Sequence, residues 1–301
     1  MGRASAWGRH LRGRPRDPAP VGLVHNAVLA GTAVHAEFAC RPGCAGPNLP
    51  STSNVIGEDA MPTPTIVLVH GAFADAASWA PVTRLLLDRG HTVIAAPLYM
   101  RSLVADAASL RALVEHIEGP VLLAGHSYGG AVITIAGEAA NVVGLVYVSG
   151  YALDAGETIS KLQGGFPDSE LIANLVFTPF PIPGQEDGSD VSVKIDAFPQ
   201  IFAAGLDPRV SEVLAVSQRP LAASVFEEAA PAAAWKTKPA WGIVSASDHT
   251  INPDVERFGY TRAGIADVTE LEAPHLVMQT NPQDVVDVIE RAVAGSGDAG
   301  S

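Results

Sequence analysis

The chain has 301 residues, enough for one large core or two modest ones. Hydrophobic residues make up 48% and charged residues 17%, which excludes a disordered chain, and a net charge of -13 argues against nucleic acid or an anionic membrane surface as partner. No apolar run approaches the roughly 20 residues of a membrane span, and the two cysteines, Cys40 and Cys44, precede all regular patterning, so the body of the protein holds no disulfide or thiolate metal site.

Residues 1–60 differ in kind from the remainder of the chain. Arg3, Arg9, Arg12, Arg14 and Arg16 crowd the start against a single acid, Asp17, and an apolar patch over 21–36 gives way to a Gly/Pro/Ser/Asn stretch. A basic start, an apolar middle and small residues near Ala36 fit an export signal. His25, Asn26 and His35 interrupt the patch and no twin-arginine pair precedes it, so a disordered extension and a cytoplasmic protein are the favoured expectation. Met61-Pro62-Thr63-Pro64 marks where a compact domain over 61–301 would begin.

Thr65-Ile66-Val67-Leu68-Val69 is a continuous, β-branched run, the pattern of a strand buried on both faces of a parallel sheet. The loop His70-Gly71-Ala72-Phe73-Ala74-Asp75 leads to a helix capped near Ser78, with Trp79, Val82, Leu85 and Leu86 on its inner face and Gly90 closing it. Next come a strand over 92–96, a helix over 104–117, a strand over 121–124, a helix to about 140 and a strand over 142–149. This alternation predicts an α/β protein with a doubly wound, mostly parallel sheet and right-handed crossovers. It stops after Gly150. Phe166-Pro167 and the proline-broken run Pro179 to Gly184 cannot continue a central strand or a helix interior, and helical candidates lie at 199–204, 209–216 and 222–230. Residues 152–236 therefore read as a helical cap inserted over the sheet's carboxyl edge. The sheet resumes at 240–245, a helix near 253–263 leads to a strand over 267–271, and a terminal helix over 282–293 has Val285, Val286, Val288 and Ile289 to bury.

Gly125-His126-Ser127-Tyr128-Gly129 joins a predicted strand directly to a predicted helix, the context in which a strained serine becomes a nucleophile. Side chains at Gly125 and Gly129 would collide in so tight a turn. A free hydroxyl attacks poorly, so a base and an anion pocket are required. In an open parallel sheet these come from loops at the carboxyl ends of strands. Of nine histidines, His275 alone lies after the last strand and before the terminal helix, and it is the expected general base. His126 is expected to pack or hydrogen-bond within the elbow. The carboxylate that orients the base comes after an earlier strand: Asp248 is favoured over Asp154 because its strand is nearest in sequence to the one feeding His275. The oxyanion donors are expected from Tyr128, at the start of the elbow helix, and from Ala72, where Gly71 permits close approach.

From about Thr63 to Val293 the chain resembles the α/β-hydrolase fold family, with His70-Gly71-Ala72-Phe73, the Gly125 to Gly130 elbow, Asp248 and His275 matching the oxyanion loop, nucleophile, acid and base in order. The short Val-His-Gly-Ala loop followed by Ser78-Trp79 is similar to the branch of plant methylesterases, hydroxynitrile lyases and bacterial pyrethroid-type esterases. Serine rather than aspartate at position 127 disfavours dehalogenase or epoxide hydrolase chemistry, and Gly71, where hydroxynitrile lyases of this branch carry threonine, counts against cyanohydrin cleavage. The resulting expectation is a cofactor-independent, metal-free serine hydrolase acting on a small-molecule ester. Phe73, Tyr128 and apolar cap residues point to a small or medium apolar substrate. A lyase, or a receptor that binds without turnover, is the alternative.

Overall fold

Residues 62–182, 184 and 186–297 are described by the computed structural model. The extension over 1–60, with its export reading and both cysteines, lies outside the described residues.

Strand β1 (Thr65–Val69) pairs in parallel with β2 (Val93–Ala96) and β3 (Val121–His126), and β4 (Val142–Val148) lies against β3. Every residue of β3 is buried, as expected of a strand covered on both faces. Helices α1 (Ala80–Asp88), α2 (Leu103–Glu115) and α3 (Tyr128–Ala136) alternate with these strands. The cap expected from Ser78 is displaced. A 3-10 turn, Ala76–Trp79, precedes α1, and Asp75 accepts the Ala77 N–H at 2.8 Å while the Ser78 hydroxyl donates to the Asp75 carbonyl. A carboxylate ahead of the first turn is the better acceptor for its free N–H groups.

The segment between β4 and the next core strand mixes helix and strand. It carries α4 (Ile159–Gln163), β5 (Leu175–Phe180), β6 (Gly188–Val193), α5 (Phe198–Ile201), α6 (Pro208–Val216) and β7 (Leu221–Ala222). The three strands form an antiparallel sheet in the order β5-β6-β7, which helical and proline signals did not disclose. Pro179 lies in β5 opposite Ser189; β5 is the outer strand, where a residue lacking an N–H is tolerated.

The core sheet then resumes with β8 (Ala240–Ser245), followed by α7 (Pro253–Arg262), β9 (Asp267–Leu271), α8 (Val277–Thr280) and α9 (Pro282–Gly297). The six core strands run in the order β2-β1-β3-β4-β8-β9, all parallel. α2 and α3 pack together on one face, where Tyr147 of β4 meets Tyr260 of α7, and α1 and α9 cover the other. The α9 stripe Val285, Val286, Val288 and Ile289 is fully buried, each side chain contributing about 1.5–3 kcal/mol by leaving water. Among the described residues no helix is long and apolar enough to cross a membrane.

The order reverses between β1 and β3, so β3 delivers its carboxyl end to the crevice where α/β sheets bind ligands. There the chain turns within one residue into α3. A Cβ placed on Gly125 would stand 2.5 Å from the Gly129 carbonyl oxygen and 2.9 Å from the Gly130 nitrogen. Both are backbone atoms that cannot swing aside. Gly125→Ala should therefore cost about 3–5 kcal/mol by chemical denaturation, and a loss below about 1 kcal/mol would show that the elbow is not rigid.

Candidate active site

Ser127 sits at the turn with φ 54° and ψ -119°, a conformation that a non-glycine residue holds only where its surroundings enforce it. It is 5% exposed. Its N–H donates to the Val148 carbonyl at 3.2 Å, and its own carbonyl accepts from Gly130 and Tyr151, so the backbone is clamped by β4, by the loop beyond it and by the first turn of α3.

Asp248 lies beyond the end of β8 and His275 beyond the end of β9, both in loops at the same sheet edge. The structure brings these two together: His275 Nδ1 lies 2.6 Å from Asp248 Oδ2, and both side chains are fully buried. The other Asp248 oxygen accepts the Thr250 and Ile251 N–H groups at 2.6 and 3.0 Å. With Nδ1–H donating to the carboxylate, Nε2 is the ring nitrogen that carries a lone pair. It is buried and meets no hydrogen-bond partner among the described residues. Asp154 is elsewhere: it forms an ion pair with Lys236, and that lysine holds its carboxyl below the usual range.

Two further histidines brace this arrangement. His126, the residue before Ser127, places its ring 4.6 Å from that of His275 and its Nε2 2.9 Å from the His275 carbonyl oxygen. A carbonyl only accepts, so Nε2–H is the donor, and the elbow is tied to a loop 149 residues away. His70 is held from two sides. The Leu98 N–H donates to its Nε2 at 3.0 Å, which leaves Nδ1–H to donate to the Gly71 carbonyl at 2.9 Å. That bond orients the peptide whose other end is the Ala72 N–H.

A Cβ on Gly71 would lie 2.9 Å from the Ser127 Cβ, so the loop passes directly over the elbow. Among the described residues neither the Ala72 N–H nor the Tyr128 N–H donates to a protein acceptor. Two free N–H groups beside the serine, one of them at the positive end of α3, suit a developing anion. The Tyr128 phenol donates to Asp106 Oδ2, in the first turn of α2, at 2.8 Å, and is 2% exposed. Asp106 also accepts the Tyr99 and Met100 N–H groups, and its burial raises its carboxyl above the usual value. Phe73 packs edge-on to Phe202 at 5.8 Å, and Phe202 in turn meets His275 edge-on at 4.9 Å, so an aromatic wall from the inserted segment adjoins the base. No group of three or more His, Cys, Asp or Glu side chains among the described residues could hold a metal ion.

The model of the alpha/beta hydrolase family matches residues 66–288. The chain belongs to this family. Among solved structures, this α/β-hydrolase is similar to polyneuridine aldehyde esterase, at 19% identity and a TM-score of 0.68 over 76% of this chain and 99% of that one. It is also similar to a methylesterase, MES16, from Arabidopsis (17% identity, TM-score 0.65, 77% of this chain, 99% of that one) and to a pyrethroid hydrolase from Sphingobium faniae JZ-2 (20%, 0.59, 79% and 98%). At these identities the likeness carries the fold alone. No curated protein sequence matches the chain.

The roles of His70, Asp106 and the His126 ring in this α/β-hydrolase have no signature in the sequence, because each depends on a partner supplied by another loop. Burial pushes His126 well below its usual 6.5, and it pushes His70 down as well. A histidine kept neutral when folded but protonated when unfolded gives stability that is complete above 6.5 and is lost as pH falls below it. His126→Asn should cost about 1–3 kcal/mol at neutral pH through the lost bond to the His275 carbonyl. That gap should narrow as pH drops; a gap independent of pH would contradict the assignment.

Proposed function

We propose that the protein is a serine hydrolase that cleaves a carboxylic ester of a small or medium apolar substrate through an acyl-enzyme. Membership in the alpha/beta hydrolase family, with two similar structures named as esterases and a third as a hydrolase, supports hydrolysis in general. The observation that carries the finer reading is the buried His275–Asp248 pair, which leaves one unpartnered imidazole nitrogen on the loop that His126, the residue before Ser127, bonds to.

In this reading His275 Nε2 takes the Ser127 proton as Oγ attacks the acyl carbon. Asp248 stabilises the imidazolium and fixes the ring. The carbonyl π electrons move to oxygen, which the Ala72 and Tyr128 N–H groups receive. The intermediate collapses, the C–O bond to the alcohol breaks, and the imidazolium gives its proton to the departing oxygen. Water then attacks the acyl-serine with His275 as base and releases the acid. The aromatic wall of Phe73, Phe198 and Phe202 supports an apolar group beside the scissile bond.

Screening the purified protein against alkyl and aryl esters of graded acyl length tests the proposal. Turnover of apolar esters with equimolar release of acid and alcohol is expected. Cleavage of an aromatic cyanohydrin without ester turnover would replace it with the lyase reading, and stoichiometric binding without turnover would replace it with a receptor.

A further inference from the structure

Behind Asp248 lies a second carboxyl that the proposed reaction does not use. Glu256, in the first half of α7, is 1% exposed. Its Oε2 accepts the Ser245 N–H at 3.2 Å, and its Oε1 is buried with no N–H or O–H donor from any neighbour among the described residues. The same turn holds both acids: Glu256 accepts the Ser245 N–H, the Asp248 N–H donates to the Ser245 carbonyl at 3.3 Å, and the Asp248 side chain is fully buried.

Two buried carboxyls on one turn with no cation between them cannot both be ionised at ordinary cost, so the pair holds one proton. The donors decide where it resides. Asp248 accepts from three groups, the Thr250 N–H, the Ile251 N–H and His275 Nδ1, whereas Glu256 accepts from Ser245 alone. Three donors favour the anion at Asp248, which leaves the proton on Glu256 with Asp248 as its acceptor. Among the described residues no cation forms a hydrogen bond or ion pair with Glu256. The Tyr151 and Tyr260 phenols lie within its field, and the Arg257 guanidinium is committed to Glu270 and Asp254 on the exposed side of α7.

We propose that Glu256 is a positioning residue, a neutral carboxylic acid whose O–H donates to Asp248 and fixes the carboxylate that orients His275. The positioning role rests on the proposed hydrolase function; the location of the proton does not. Burial and the neighbouring Asp248 both push the Glu256 carboxyl well above its usual 4.5. The unfolded chain releases this proton near 4.5 and the folded chain retains it, so the stability the pair contributes is complete below 4.5 and is lost as pH rises toward the value at which folded Glu256 ionises.

The test uses the full chain and two variants. Glu256→Gln keeps a donor toward Asp248 and has no proton to lose, and Glu256→Leu removes the donor. Wild type at neutral pH should show the infrared carbonyl band of a protonated carboxylic acid that Glu256→Gln lacks. Above 4.5, Tm of wild type should fall relative to Glu256→Gln by roughly 3–5 °C per pH unit until Glu256 ionises. Glu256→Gln should keep kcat for an ester near the wild-type value, while Glu256→Leu should lower kcat up to about 100-fold with KM little changed. Parallel Tm curves and identical infrared spectra for wild type and Glu256→Gln would overturn the shared proton. Undiminished kcat in folded Glu256→Leu would overturn the positioning role. Absence of any ester turnover in wild type would remove the role together with the hydrolase function it rests on, and the infrared and Tm comparison would still decide where the proton lies.

Discussion

Replacing Ser127 by alanine should lower kcat for ester hydrolysis by about 10⁴-fold or more while leaving the fold intact. Without Oγ there is no acyl-enzyme, and what remains is the help that the two N–H donors give to a water molecule. The stability of Ser127→Ala should stay within about 0.5 kcal/mol of wild type, because the serine side chain makes no hydrogen bond that the protein depends on and alanine accepts the same strained φ of 54°. Circular dichroism and denaturation establish the second point, steady-state kinetics the first. A variant that keeps a tenth of wild-type activity would require a different nucleophile.

The second large effect separates two carboxylates that were equally available in chain order. Asp248→Asn should reduce kcat by about 10³–10⁴-fold. The amide can still accept from Thr250 and Ile251, but it cannot stabilise an imidazolium, and its NH₂ presented to Nδ1 would force the wrong tautomer on His275. Asp154→Asn should leave kcat and KM unchanged. Its pair with Lys236 is half-exposed, with side chains 36% and 49% accessible, and so contributes at most about 1 kcal/mol. The opposite outcome, loss of activity at 154 and not at 248, would reassign the acid.

The core strands and their helices were legible because the signal is local and repeated. Runs such as Thr65–Val69 and the α9 stripe of Val285, Val286, Val288 and Ile289 have one physical reading, burial on two faces or on one. The elbow was legible because a glycine-flanked serine between such a run and a buried helix has few other uses, and loops after strands must meet at one edge. The three-stranded sheet of the inserted segment was not. Pro179 and Gly184 carry strong local signals for a break, and only antiparallel pairing with β6, on the far side of the 181–187 connection, makes Leu175–Phe180 a strand. Side-chain pairs hidden from the sequence share that cause. His126 with the His275 carbonyl, Tyr128 with Asp106 and Glu256 with Ser245 span 149, 22 and 11 residues, and no spacing rule connects them.

Every catalytic step proposed for this protein depends on Ser127 being made nucleophilic by the buried His275–Asp248 pair. Reaction with a fluorophosphonate probe, read by mass spectrometry of the digested protein, measures that nucleophilicity without any knowledge of the substrate. One covalent adduct is expected, on Ser127, formed by folded wild type, absent in Ser127→Ala and slowed severely in Asp248→Asn. Folded wild-type protein that acquires no adduct, or acquires it on a serine other than Ser127, would show that the pair does not activate this serine.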